Sequence, residues 1–191
     1  MYKKTKIVLW YVFCVLILMA GCAKEDYYFV RKDNGVNTIK KIAVLPLENL
    51  TTDEFAGEKI RRLIITELLN RDIDVVEPGE VTRVLKDMNI RSLATIKSRD
   101  LQEIGKELGA DAILLGSVSA FSIVRGISVS YPEVTVNLRL VDSSKGNVIW
   151  SIHKTSGGAD FWTRHFGSEG QTLSEKAEEV IKDSIKTLFN K

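Results

Sequence analysis

The sequence holds little that could carry covalent or metal chemistry. Two cysteines, two histidines and three prolines occur in 191 residues. His153 and His165 stand 12 apart with no cysteine or carboxylate at ligand spacing, so no metal ligand set is assigned. Nucleophile-elbow, zinc-protease, dinucleotide and P-loop patterns are all missing. Gly157-Gly158 has no following Lys-Ser/Thr and reads as a loop, while Glu178-Glu179 and the Asp72/Asp74 pair read as solvated surface. No catalytic, cofactor or metal residue follows from these patterns, and an enzyme or small-ligand receptor is the least favoured class. Charge of one sign is also missing. Lys3, Lys4 and Lys6 are the only charges before residue 22, and without those three the 27 basic residues fall to 24 against 25 acidic. Basic residues elsewhere come at most in pairs such as Lys40-Lys41 and Arg61-Arg62, which read as a solvated face. A nucleic-acid partner is therefore excluded.

What is present begins with an uncharged apolar run, residues 7–20, behind the three lysines. This is the layout of a secretory signal. The run ends Leu18-Met19-Ala20-Gly21-Cys22, which resembles a bacterial lipobox with Met19 in place of the usual leucine. Residues 1–21 are then a signal peptide, and Cys22 receives the lipid. The alternative is an uncleaved anchor, since Ile7 to Ala23 is at the short end for spanning. Ala23 after the cysteine resembles the outer-membrane sorting choice. With Cys14 in the leader and Cys22 blocked, the mature chain has no disulfide and holds together by packing.

Residues 22–38 read as a polar, lipid-anchored tether, at most about 55 Å long at ~3.4 Å per residue. Its aromatic quartet Tyr27–Val30 is expected to dock on the domain or the bilayer interface. Residues 39–191 carry the regular pattern of one domain. Strands are expected at Ile42–Leu45, Ile73–Val76, Ala112–Ala120, Val134–Val141 and Val148–Thr155. Helices are expected from the capping box Thr51-x-x-Glu54 to about Asn70, through Val81–Met88, from Ser98 to Gly109, and from the capping box Thr172-x-x-Glu175 to the end. The turn Asp142–Asn147 joins the last two strands, with Gly146 free to take positive φ. The order β-α-β-α-α-β-β-β-α implies an α/β (α+β) fold, a mixed sheet of about five strands covered by about four helices.

Several runs, in order, carry a family resemblance. They are Ile42-Ala43-Val44-Leu45-Pro46-Leu47-Glu48-Asn49, Val75-Val76-Glu77, Val84-Leu85-Lys86, Ile104 to Asp111, Gly116-Ser117-Val118, Leu138 to Asp142, and Gly146 to Ser151. From Lys40 to about Trp162 the chain resembles the curli-secretion-channel (CsgG-like) lipoproteins, the N-terminal domain of TolB and the penicillin-binding-protein activator lipoproteins. The resemblance implies no catalytic residue. Channel members insert two membrane-spanning hairpins, each of about 20 residues or more. The corresponding stretches here, Phe121–Tyr131 around Arg125-Gly126 and Gly158–Gln171, are too short. Both carry apolar residues: Phe121 and Ile127 in the first, Phe161, Trp162 and Phe166 in the second. These are candidate contacts for a partner or the membrane, the alternative being that they lid the core.

The expected function is a non-enzymatic lipoprotein of the outer membrane, facing the periplasm. It would bind an envelope protein in envelope assembly, secretion or activation. The alternative is a subunit of a homo-oligomeric CsgG-type secretion channel.

Overall fold

A computed structural model describes residues 27–31, 36–125, 130–158 and 170–189. Seven strands form one mixed sheet: β1 (Tyr27–Val30), β2 (Lys41–Val44), β3 (Glu48–Asn49), β4 (Asp74–Val75), β5 (Ala112–Arg125), β6 (Ser130–Asp142) and β7 (Val148–Gly157). The spatial order is β1-β7-β6-β5-β2-β4, with β3 also beside β5. Helices α1 (Ala56–Leu69), α2 (Pro78–Asp87), α3 (Ser98–Leu108) and α4 (Leu173–Phe189) cover it. The expected α+β architecture is present, and the two additional strands are β1 and β3.

The layers follow from side-chain alternation. Ile42, Val44, Ala112, Leu114, Val136, Leu138, Leu140, Trp150 and Ile152 point to one face and pack with the stripes of α1 (Ile60, Ile64, Leu68) and α4 (Val180, Ile181, Ile185). Ala43, Leu45, Ile113, Leu115 and Val141 point to the other and meet α2 (Val81, Val84) and α3 (Leu101, Ile104, Leu108). The half of the sheet holding β2, β4 and β5 is parallel, and the half holding β6, β7 and β1 is antiparallel.

Several expectations need correction. Residues 27–30, expected in the tether, pair antiparallel with β7 from Tyr27↔His153 to Val30↔Trp150. The Arg31 amide extends the ladder to the Ile149 carbonyl at 2.9 Å. Only residues 23–26 then separate Cys22 from the sheet, so the reach falls from about 55 Å to about 17 Å. The capping box at Thr51 does not form. Asn49 organises that loop instead: its Oδ1 accepts from the Thr51 amide and hydroxyl at 3.1 and 2.8 Å, and its Nδ2 donates to the Asp53 carbonyl at 2.8 Å. Helix α1 consequently starts at Ala56, and Phe55 just before it is 62% exposed. The box at Thr172 does form, with the Glu175 amide donating to Thr172 Oγ1 and the Thr172 amide to Glu175 Oε2. Gly109 and Gly146 take φ of +57° and +69°, as their positions require. Gly105 lets α3 approach the β6–β7 turn, where a Cβ would lie 2.5 Å from that of Ser143.

Arg61 departs from its reading as solvated surface: it is 4% exposed, while Arg62 keeps an exposed side chain. The cause lies in the sheet edge. Strand β4 stops at Val75, the Val76 amide pairs with the Ile42 carbonyl, and the next carbonyl on that side of β2, Val44, has no strand opposite. Arg61 supplies the donors, with Nε at 3.1 Å and Nη2 at 2.7 Å from the Val44 oxygen. Burial holds the guanidinium pKa below its ordinary value, and the Glu58 carboxylate 3.8 Å away opposes that. Arg61→Met keeps the stem but orphans this carbonyl, and is expected to cost about 1–3 kcal/mol, read as a lower urea midpoint.

Candidate functional site

Of the apolar residues expected at a contact surface, Phe121 is 5% exposed and belongs to the core. The reason is a bulge. The β5–β6 register shifts between Val118 and Ala120, so inward-facing positions change from even to odd numbers and Phe121 turns under α1. The Lys59 ammonium sits 5.3 Å over its ring. Cys22, Ile127, Phe161, Trp162 and Phe166 lie outside the described residues.

The structure points instead to a surface that the sequence reading did not single out. Helices α2 and α3 pack over β2 and β5. On the same side of the sheet, Arg139 of β6, His153 of β7 and Tyr27 and Phe29 of β1 remain exposed. The register sets them in rows. One row runs Leu115, Arg139, Ser151, Phe29; the next runs Ser117, Asn137, His153, Tyr27. Small residues, Gly116, Ser117 and Ser151, make the floor between two walls, the aromatic pair on one side and Leu93 and Ala94 of the α2–α3 connection on the other. The result is an open groove of about 360 Å³. Arg139 and His153 bring basic character, and Glu48 at the rim brings a carboxylate.

Hydrogen bonds fix some of these polar groups. His153 Nδ1 lies 2.6 Å from Asn137 Oδ1, which places the ring proton on Nδ1, and its Nε2 is 3.4 Å from Thr155 Oγ1. Thr155 Oγ1 in turn accepts from Thr135 Oγ1 at 3.1 Å. The ring is thus oriented by a neutral amide, and among the described residues no carboxylate is bonded to it that would stabilise an imidazolium during proton transfer. Among the described residues no cluster of three or more His, Cys, Asp or Glu could hold a metal ion. Nor is any helix among them long and apolar enough to cross a membrane. The available signal was the alternation of β6, whose Thr135, Asn137 and Arg139 form a polar column between buried valines and leucines.

At the far end of the sheet, Asp142 organises the β6–β7 turn. Its Oδ1 accepts from the Ser144 amide and hydroxyl at 2.8 and 2.6 Å and from the Lys145 amide at 2.9 Å. Burial pushes the carboxyl pKa up, but these hydrogen bonds outweigh it and hold it below the ordinary value. A depressed folded pKa stabilises the fold above the unfolded value, about 4, and that contribution is lost as the pH falls through the folded value. The urea midpoint is therefore expected to decline below about pH 4, and to do so less steeply in Asp142→Asn.

Comparison with known proteins agrees with this fold. The model of the family described as peptidoglycan-synthase activator LpoB matches residues 18–155. The PelC dodecamer from Paraburkholderia phytofirmans superposes with a TM-score of 0.61 at 20% identity, over 87% of this chain and 98% of that one. Lipoprotein GNA1162 from Neisseria meningitidis gives 0.55 at 19% identity, over 77% and 98%. The hypothetical protein CT253 from Chlamydia trachomatis gives 0.51 at 11%, over 78% and 95%. At these identities the likeness is one of fold. No curated protein matches the chain. The family match bears out the activator side of the resemblance drawn from the sequence. The chain belongs to the LpoB family of peptidoglycan-synthase activators, envelope lipoproteins that are not enzymes.

Proposed function

We propose that this chain is anchored in the outer membrane by lipid on Cys22, faces the periplasm, and activates a peptidoglycan synthase by binding it through the groove beside β1. The observation that carries the docking surface is the uncovered half of the sheet, where exposed Tyr27 and Phe29 flank Arg139 and His153 over a floor of small residues. Aromatic and arginine side chains in a depression are the composition of interface hot spots. The lipid confines the domain to the membrane surface and raises its effective concentration for a partner there. Several acyl chains on one cysteine give the stable retention that a single chain does not.

Arg139 is exposed and among the described residues no hydrogen bond ties it to the core, so Arg139→Glu is expected to move stability by less than about 0.5 kcal/mol. It is expected to weaken the synthase complex about tenfold or more, measured by titration of the purified partners. Unchanged affinity would remove the groove from the interface.

The channel reading meets a specific obstacle. Strands β5 and β6 are long, but residues 112–121 and 134–141 serve the core. What projects is Ser122–Arg125 against Ser130–Glu133, short of the about 9–11 residues a spanning strand needs.

A further inference from the structure

The groove lies on one face of the sheet; the end of the sheet toward which β1 begins has a separate character. Strand β1 runs away from this end, with Tyr27 nearest to it. From Tyr27 the row passes through His153 and Asn137 to Ser117. Past Ser117 strand β5 continues to Ile123, paired with Pro132, about 17–20 Å further along the strand. Cys22 lies at most about 17 Å from Tyr27. A lipid on Cys22, even at full stretch, thus places the membrane surface no further out than the projecting β5–β6 arm.

That end is also where apolar surface gathers. Ile123 is 50% exposed, and Leu50 and Phe55 in the β3–α1 loop are 59% and 62% exposed. The Leu50 amide bonds the Val118 carbonyl, which fixes that loop beside the arm. Leu69 is the contrasting case. It is 53% exposed at the C-terminal end of α1, on the opposite end of the domain, where the following chain bonds back to Lys40.

We infer that the bilayer carrying the anchor is the occupant of this apolar end, so that the domain rests on the membrane with Ile123, Leu50 and Phe55 in the headgroup region and the groove opening sideways. The inference depends on acylation of Cys22. It makes the short leash functional: the domain stays at the membrane surface, and a partner must come to it.

The test uses the full acylated protein in phosphatidylethanolamine–phosphatidylglycerol vesicles. Cys14 leaves with the leader and Cys22 is a thioether, so Ile123→Cys offers one free thiol for an environment-sensitive fluorophore, and Leu69→Cys is the matched control. Phe55→Cys repeats the reading from the neighbouring loop. Labels at 123 and 55 are expected to shift to shorter wavelength and to be quenched severalfold more than the label at 69 by lipids spin-labelled near the headgroup. Equal quenching at all three positions in floating, acylated protein overturns the inference and leaves the anchor standing. So does a blue shift at 123 without lipid quenching, which would mean that a second copy or another protein covers this end. A protein mass without acyl chains overturns the anchor and the inference together.

Discussion

Trp150→Ala is expected to destabilise the domain by about 3–5 kcal/mol, lowering Tm by roughly 6–20 °C. Trp150 is fully buried on β7 and is the largest of the fully buried side chains. It sits where the sheet meets α4, between the strand that holds β1 and the helix that closes the core. Its removal therefore opens a cavity that Val180, Ile181 and Ile185 cannot fill without moving the helix. The indole also makes a specific bond. Nε1 donates to Thr187 Oγ1 at 3.0 Å, and that hydroxyl donates to the Ser184 carbonyl at 2.7 Å. Trp150→Phe separates the two effects, because it keeps most of the volume and loses the bond. It is expected to cost about 1–2 kcal/mol. Calorimetry on both variants checks the division, and similar losses for the two would place the weight on the hydrogen bond.

The second large effect is at Gly116, on the floor of the groove. A Cβ there would stand 2.0 Å from the Asn137 carbonyl oxygen and 3.0 Å from the Leu138 Cα, both backbone atoms of the paired strand. No rotamer change relieves that contact, so β6 must move away from β5. Gly116→Ala is expected to cost about 3 kcal/mol or more, at the upper end for overpacking. Strand β6 carries Asn137 and Arg139, and β7 paired with it carries His153, so the substitution should also disturb the groove. Gly79 is the control. A Cβ at that position in the first turn of α2 meets nothing within 4 Å, so Gly79→Ala should be neutral or stabilising by up to about 1 kcal/mol. Denaturant midpoints of the pair give the comparison, and a Gly116→Ala protein as stable as wild type would contradict the packing at the sheet centre.

These sites show what the sequence could disclose. Helical stripes and the alternation of β6 follow directly from burial, so α1 to α4 and the central strands were legible as periodicity. Strand β1 was not, because it is four residues long, mostly exposed, and held by main-chain bonds that have no side-chain signature. The bulge in β5 hid the rest of that strand by reversing the parity of inward positions, and with it the burial of Phe121. Arg61 looks like a surface residue in any linear reading, since its partner is a backbone carbonyl left over where β4 ends. The groove is harder still to foresee. It depends on which half of the sheet the helices leave uncovered, a consequence of strand order and not of any local pattern.

The docking of β1 links these points to function. It lines the groove with Tyr27 and Phe29 and leaves few residues between Cys22 and the sheet, so on the proposed function one short strand bears on both the partner surface and the distance at which a partner is met.

The proposed activation of a synthase is read most directly from the rate of glycan polymerisation. A purified peptidoglycan synthase from the same cell would be reconstituted in vesicles with the acylated protein, with its Arg139→Glu variant, or alone. A severalfold faster rate is expected with the wild-type chain, and a return to the basal rate with the variant at the same concentration. A rate that stays basal while the wild-type chain saturates the synthase would contradict it.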